Sequence, residues 1–154
     1  MLARTDWAHL LPHAGAMCLL DAVVAWDEQG LHAVSASHVR VDNPLRGAHG
    51  LHAVHLAEYG AQAMALHGAL LAREHGLHAA RPGMLVSLRD VLLAVEYVPP
   101  VGRLDVHAQC LLSDAHGAQY TFAVELAGQL LASGRAAVIH PQSATAEQSS
   151  GAAT

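Results

Sequence analysis

Four side chains that can move protons recur at three-residue steps in the middle of the chain: His49, His52, His55 and Glu58. Tyr59 and Gln62 follow at once. On a helix, His55 and Glu58, Glu58 and Gln62, and His55 and Tyr59 become neighbours on one face, being three or four residues apart. Glu58 is the sole carboxylate between Ala53 and Ala72, a stretch otherwise dominated by Ala, Leu and Met. Acidic side chains are almost never buried unless they are paired. A carboxyl placed there is held neutral or strongly hydrogen-bonded, and a neutral carboxyl can give up a proton. Histidine can take one at neutral pH. The plainer alternative is that Glu58 faces a solvent gap or caps a loop. With 13 histidines in 154 residues, most are expected at turns or on the surface, among them His32, His75, His78, His107 and His116. The three-residue step also invites a metal. It drifts around a helix instead of converging, and it matches no zinc pattern, so no metal is expected.

The elements that must position these residues can be read from apolar periodicity. Residues 5–9 suit a short helical turn before Pro12. Met17 to Trp26 and Leu31 to Val41 read as a strand hairpin about the Asp27-Glu28-Gln29-Gly30 turn. Asp42 to His52 is a loop broken by Asn43-Pro44, Gly47 and Gly50. Ala53 to His75 predicts a helix of about 33 Å, closed by Arg73 and by Gly76 just beyond its end. It is apolar nearly all round, so burial on most sides is expected. Its many Ala and Gly residues would allow a sheet to approach closely. After the Arg81-Pro82-Gly83 loop come strands over Met84–Tyr97, Leu104–Leu112, Gln119–Leu126 and Gln129–Ile139.

A hairpin, one long buried helix and an antiparallel meander have an economical solution. A sheet of about six strands curls around the helix, giving the α+β hotdog fold. The edge strand and leftover apolar surface of such a sheet call for a second copy, so a homodimer or hotdog heterodimer is expected. Residues 1–140 would form the single domain, and 141–154, rich in Ser, Ala, Thr, Gln and Gly, a loose tail. The formal net charge is −5 with no basic run, which argues against nucleic acid or an anionic membrane as partner. No secretory signal and no apolar stretch of spanning length is visible, and Cys18 and Cys110 read as reduced thiols, so a cytoplasmic location is expected. The start of the helix near Ala53–His55 offers backbone N–H groups that could receive an oxyanion. No serine nucleophile elbow, phosphate loop or dinucleotide glycine fingerprint occurs.

Four segments, in order, carry a family resemblance. Leu10-Leu11-Pro12-His13 through Leu19-Leu20-Asp21 resembles the opening motif of the FabA/FabZ-type dehydratases. Asn43-Pro44-Leu45-Arg46-Gly47-Ala48-His49 looks like their loop carrying the catalytic histidine. Glu58-Tyr59-Gly60-Ala61-Gln62 looks like their helix motif, closest to the divergent aryl-polyene branch. Tyr97-Val98-Pro99-Pro100-Val101-Gly102 is similar to the break after their third strand. The likeness spans roughly residues 8–139, with a shorter segment between the histidine and the acid than the family usually has. The resemblance implies dehydration of a 3-hydroxyacyl thioester, carried on acyl carrier protein, to the trans-2-enoyl thioester, without a cofactor. His49 would take the α-proton and Glu58 would protonate the leaving hydroxyl, the two coming from opposite protomers. The shortened loop leaves His52 and His55 as alternative bases. His52, Ala53, Val54, His55, Tyr59 and Gln62 would line the substrate, with the helix start holding its carbonyl. A non-catalytic hotdog partner subunit, a hotdog thioesterase and a plain acyl-binding protein are the alternatives.

Overall fold

Residues 1–77 and 83–141 are described by the computed structural model. His78, Arg81, Pro82 and the expected tail from Gln142 onward lie outside the described residues. The strands are β1 (Leu2–Ala3), β2 (Ala22–Trp26), β3 (Gly30–Ser35), β4 (Met84–Leu93), β5 (Leu104–Ser113), β6 (Gly117–Leu126) and β7 (Gln129–Ile139). They form one antiparallel sheet in the order β1-β2-β3-β5-β6-β7-β4. A short helix α1 (Arg4–Trp7) and the long helix α2 (Leu56–Glu74) complete the fold. The sheet is wrapped around α2, which packs on β3, β5, β6 and β7. This is the hotdog arrangement, with one strand more than expected because the two-residue β1 joins the edge.

The apolar character of α2 is used as its sequence suggests. Leu56, Tyr59, Ala63, Leu66 and Leu70 are buried against Ala33, Val106, Phe122 and Val124 of the sheet. Burying a Leu or Phe side chain stabilises by about 1.5–3 kcal/mol, so this interface holds the domain together. Gly60 sets how closely helix and sheet approach. A Cβ there would stand 2.6 Å from the Phe122 ring, and one at Gly134 would meet the same ring at 2.7 Å. Phe122 therefore lies between two glycines.

Three element ends differ from the sequence reading, each for a local reason. Met17 to Asp21 is not strand; a 3-10 turn over Gly15–Met17 leads into irregular chain, and the ladder begins at Ala22. Side chains bond much of the backbone from Met17 to Leu20, as described below, and only the Asp21 N–H reaches the neighbouring strand, at the Val34 carbonyl. The second strand stops at Ser35, and Ser37–Val39 form a 3-10 turn. The Ser35 hydroxyl accepts the Ser37 N–H at 3.1 Å and pulls the chain out of the sheet. The fourth strand ends at Leu93 rather than running to Tyr97, which makes an isolated bridge to His52. The helix itself starts with a 3-10 turn over Ala53–His55 before α2 proper.

Two features of the sheet bear on assembly. β4 pairs with β7 on one side only and forms the edge of the sheet. Met84, Leu85, Val86, Leu88, Val91, Leu92 and Leu93 all lie exposed along it. Cys18 is buried and Cys110 partly so, and both are free thiols. No helix among the described residues is long and apolar enough to cross a membrane.

Candidate functional site

Glu58 sits in the first turn of α2 with its side chain 35% exposed, where the helix passes under the chain from His13 to Leu19. Its Oε1 accepts a hydrogen bond from Gln62 Nε2 (3.2 Å) and lies 3.2 Å from His13 Nε2. Gln62, one turn on and fully buried, cannot swing away. Its Nε2 also donates to the Met17 carbonyl (2.7 Å), and its Oε1 accepts the Leu19 N–H (2.9 Å). One amide thus ties the loop to the helix and orients the carboxyl. This explains why residues 17–20 need no strand partner.

A second buried network holds the same loop from the other side. Ser35 Oγ donates to the Leu19 carbonyl at 2.6 Å and thereby spends its only proton. Ser37 Oγ, 2.9 Å away, must then donate to Ser35. The Tyr59 hydroxyl, 2.8 Å from Ser37 Oγ, must donate to Ser37 in turn, and it accepts Asn43 Nδ2 at 3.0 Å. The result is a single-direction chain in which Asn43, Tyr59, Ser37 and Ser35 each donate to the next, ending on the Leu19 carbonyl as acceptor. Chains of this kind polarise one another, and any member removed leaves a buried group unpaired. Burial raises the Tyr59 pKa above that of a free phenol, against the lowering effect of its two hydrogen bonds, so it stays a neutral donor. From outside, the Arg4 guanidinium donates to the carbonyls of Cys18 and Leu20 and to Asp21.

Tyr59 and Gln62 are therefore placed differently from the expectation that they line a substrate. Both are fully buried and fully engaged, so they build the wall that holds Glu58. The helix start also differs from a set of free N–H groups. Ala53 N–H donates to the Glu96 carbonyl (2.8 Å), Val54 N–H to His52 Nδ1 (3.1 Å) and His55 N–H to the His52 carbonyl (3.1 Å). Of these, only the Val54 N–H is held by a side chain that can move aside, and Val54 itself is exposed.

His49 stands apart from Glu58 in its contacts. It is exposed in a tight turn closed by the Gly47–Gly50 bridge, with its ring 6.3 Å from that of Tyr97. His52 packs on the same tyrosine at 5.4 Å. Gly50 has φ +106, a conformation that glycine adopts readily and that closes this turn. His55 is half-buried at the start of the helix. The histidine that meets Glu58 inside the protomer is His13, to which sequence reasoning assigned no role. The Leu11-Pro12-His13 motif was the available signal, but its contact with Glu58 spans 45 residues and no local pattern foretells it. No group of three or more His, Cys, Asp or Glu able to hold a metal occurs among the described residues.

Farther along α2, His67 is fully buried. Its Nε2 donates to the Asp27 carbonyl (2.8 Å) and its Nδ1 accepts the Tyr120 hydroxyl (2.8 Å). Burial lowers its pKa, offset in part by the Asp27 carbonyl.

Comparison with known proteins accords with this architecture. The family model described as ApeP-like, ApeP dehydratase, matches residues 5–149. The dehydratase heterocomplex ApeI:P from Xenorhabdus doucetiae contains a chain similar to this one at 25% identity and TM-score 0.79, covering 87% of this chain and 90% of that one. The phenylacetic acid degradation protein PaaI from Thermus thermophilus, in a mutant form, shares the fold at 21% identity and TM-score 0.56, covering 77% and 91%. A mutant thioesterase from Staphylococcus aureus subsp. aureus Mu50 does so at 13% identity and TM-score 0.55, covering 78% and 93%. Among curated proteins, none matches the chain.

Proposed function

We propose, since this chain belongs to the ApeP-like dehydratase family, that it removes water from 3-hydroxyacyl thioesters carried on acyl carrier protein, with Glu58 as the general acid. The observation that carries the assignment is the clamped, half-exposed carboxyl at the start of α2. A carboxyl oriented through one oxygen presents the other to a leaving hydroxyl. His49 is the base. It takes the α-proton, the electrons of that C–H bond form the C=C bond, the β C–O bond breaks, and the departing hydroxyl leaves as water with the proton of Glu58. Val54 N–H, released from His52, is the donor suited to the thioester oxygen as charge develops on it. Ala53 and His55 flank it, while Tyr59 and Gln62 position the acid.

His49 makes its ring contact with Tyr97 and, among the described residues, no hydrogen bond or ion pair with the Glu58 of its own chain, which fits a base that serves an acid on a neighbouring subunit. The exposed apolar edge β4 supplies the means to bring one there. An open strand edge lined by apolar side chains is completed by pairing with another chain. A second hotdog subunit, identical or related, is the occupant we infer, and the heterocomplex ApeI:P is the precedent. The same lack of contact between His49 and Glu58 supports a second reading, in which this chain is the partner subunit of a heteromeric dehydratase and needs the other subunit for turnover.

The test is a mass-spectrometric assay with 3-hydroxyacyl thioesters on acyl carrier protein, run on the wild type, Glu58→Ala and His49→Ala. Loss of water by the wild type alone is the expected result. An active Glu58→Ala variant removes Glu58 from the chemistry. Activity that returns only on adding a second hotdog protein selects the partner-subunit reading, and release of free thiol selects a thioesterase.

A further inference from the structure

His13 has one ring nitrogen on Glu58 and the other sealed in. Nε2 lies 3.2 Å from Glu58 Oε1, while Nδ1 is buried with no hydrogen-bond partner among the described residues. The two nitrogens together fix the protonation of the ring. A proton on Nδ1, in either the imidazolium or the Nδ1–H tautomer, would be a buried donor with no acceptor. A bare Nδ1 lone pair in that place costs less, so the ring is neutral with its hydrogen on Nε2. His13 then donates to Glu58 Oε1. Gln62 Nε2 donates to the same oxygen, and the Gln62 amide cannot be flipped, because its Oε1 receives the Leu19 N–H. Oε1 thus accepts two fixed donors and has no room for a proton of its own.

We propose that His13 is a positioning residue for the acid. It confines the dissociable proton of Glu58 to Oε2, the oxygen without a hydrogen bond among the described residues, and its Nε2–H bond strengthens as Glu58 becomes a carboxylate during proton transfer. This rests on the assignment of Glu58 as general acid. The proton leaves Oε2 for the departing hydroxyl, the O–H electrons stay on Glu58, and the new negative charge spreads onto Oε1, where the two donors wait. Hydrogen bonds to a charged acceptor are roughly twice as strong as those to a neutral one, so the clamp favours the transition state over the resting acid. The adjacent titratable side chain on the same helix is Tyr59, engaged with Ser37 and Asn43; His55 lies one turn earlier in the 3-10 segment, and the 17–19 segment brings the Cys18 thiol and no charged group.

The experiment follows the carboxyl carbon of Glu58 and the ring nitrogens of His13 by NMR in the full chain, beside pH–rate profiles of the same preparations. The wild type should show His13 as the Nε2–H tautomer. In His13→Ala the Glu58 carboxyl carbon resonance should shift, the alkaline limb of kcat should move up, and kcat should fall about 10- to 100-fold with KM little changed. His13→Gln, whose amide can offer an N–H, should recover part of each. A folded His13→Ala whose Glu58 resonance and kcat limb stay where they were overturns the proposal, as does an Nδ1–H tautomer. If the wild type is inert on every 3-hydroxyacyl thioester, alone and with a second hotdog protein, while the Glu58 resonance still depends on His13, the dehydratase assignment falls and the clamp stands.

Discussion

Two positions along α2, its first turn and its middle, each hold a polar cluster, and they are finished in opposite ways. At the first turn, Glu58 is clamped through one oxygen and left half-open on the other. Nine residues on, about 13 Å along the axis and on the opposite side of the helix, His67 is closed completely between the Asp27 carbonyl and the Tyr120 hydroxyl. Both are titratable groups on an apolar helix. The fully satisfied one serves the fold, and the incompletely satisfied one is the group proposed for the chemistry. A buried polar residue is therefore not in itself a sign of function; the free lone pair or free proton facing outward is.

The sharpest way to break this comparison is to remove charge chemistry at the open position. Glu58→Gln should lower turnover by about 10²–10⁴-fold, while the unfolding free energy changes by no more than about 0.5 kcal/mol; calorimetry beside the turnover assay reads both. At the closed position the pattern reverses. His67→Leu leaves the Asp27 carbonyl without its donor and should cost about 1–3 kcal/mol of stability in urea unfolding, with turnover per folded molecule retained. A smaller effect sharpens the contrast. Because burial sets the folded pKa of His67 below its unfolded value, its neutral form contributes fully above about pH 6.5, and stability is lost as pH falls from there through the folded pKa. Thermal melts at pH 7 and pH 5 should show that loss in the wild type and a smaller one in His67→Leu.

The architecture was legible because it is written in short-range pattern. An Ala-rich apolar run of about six turns can only be a buried helix, and the alternation in β5 and β6 fixes which side chains face it. Strand ends were harder to place. The Val34, Ala36, Val39 alternation continues past Ser35, but the hydroxyls of Ser35 and Ser37 offer the backbone a competing set of bonds, and those win. Glu58 could be picked out because it is an anomaly in its surroundings. Its partner His13 could not, since 13 histidines make any single one uninformative and the contact is long-range. The four-residue spacing of Glu58 and Gln62 is used as a direct hydrogen bond, while Tyr59 turns to Ser37 and Asn43; whether a side chain on that face meets solvent or a packed loop depends on what lies over it.

The apolar edge strand also bears on how the chain behaves on its own. Ten residues of open β-strand with Leu, Val and Met along their length form a template for indiscriminate pairing. While that edge stands open the chain is exposed to self-association, and its solubility falls as its concentration rises.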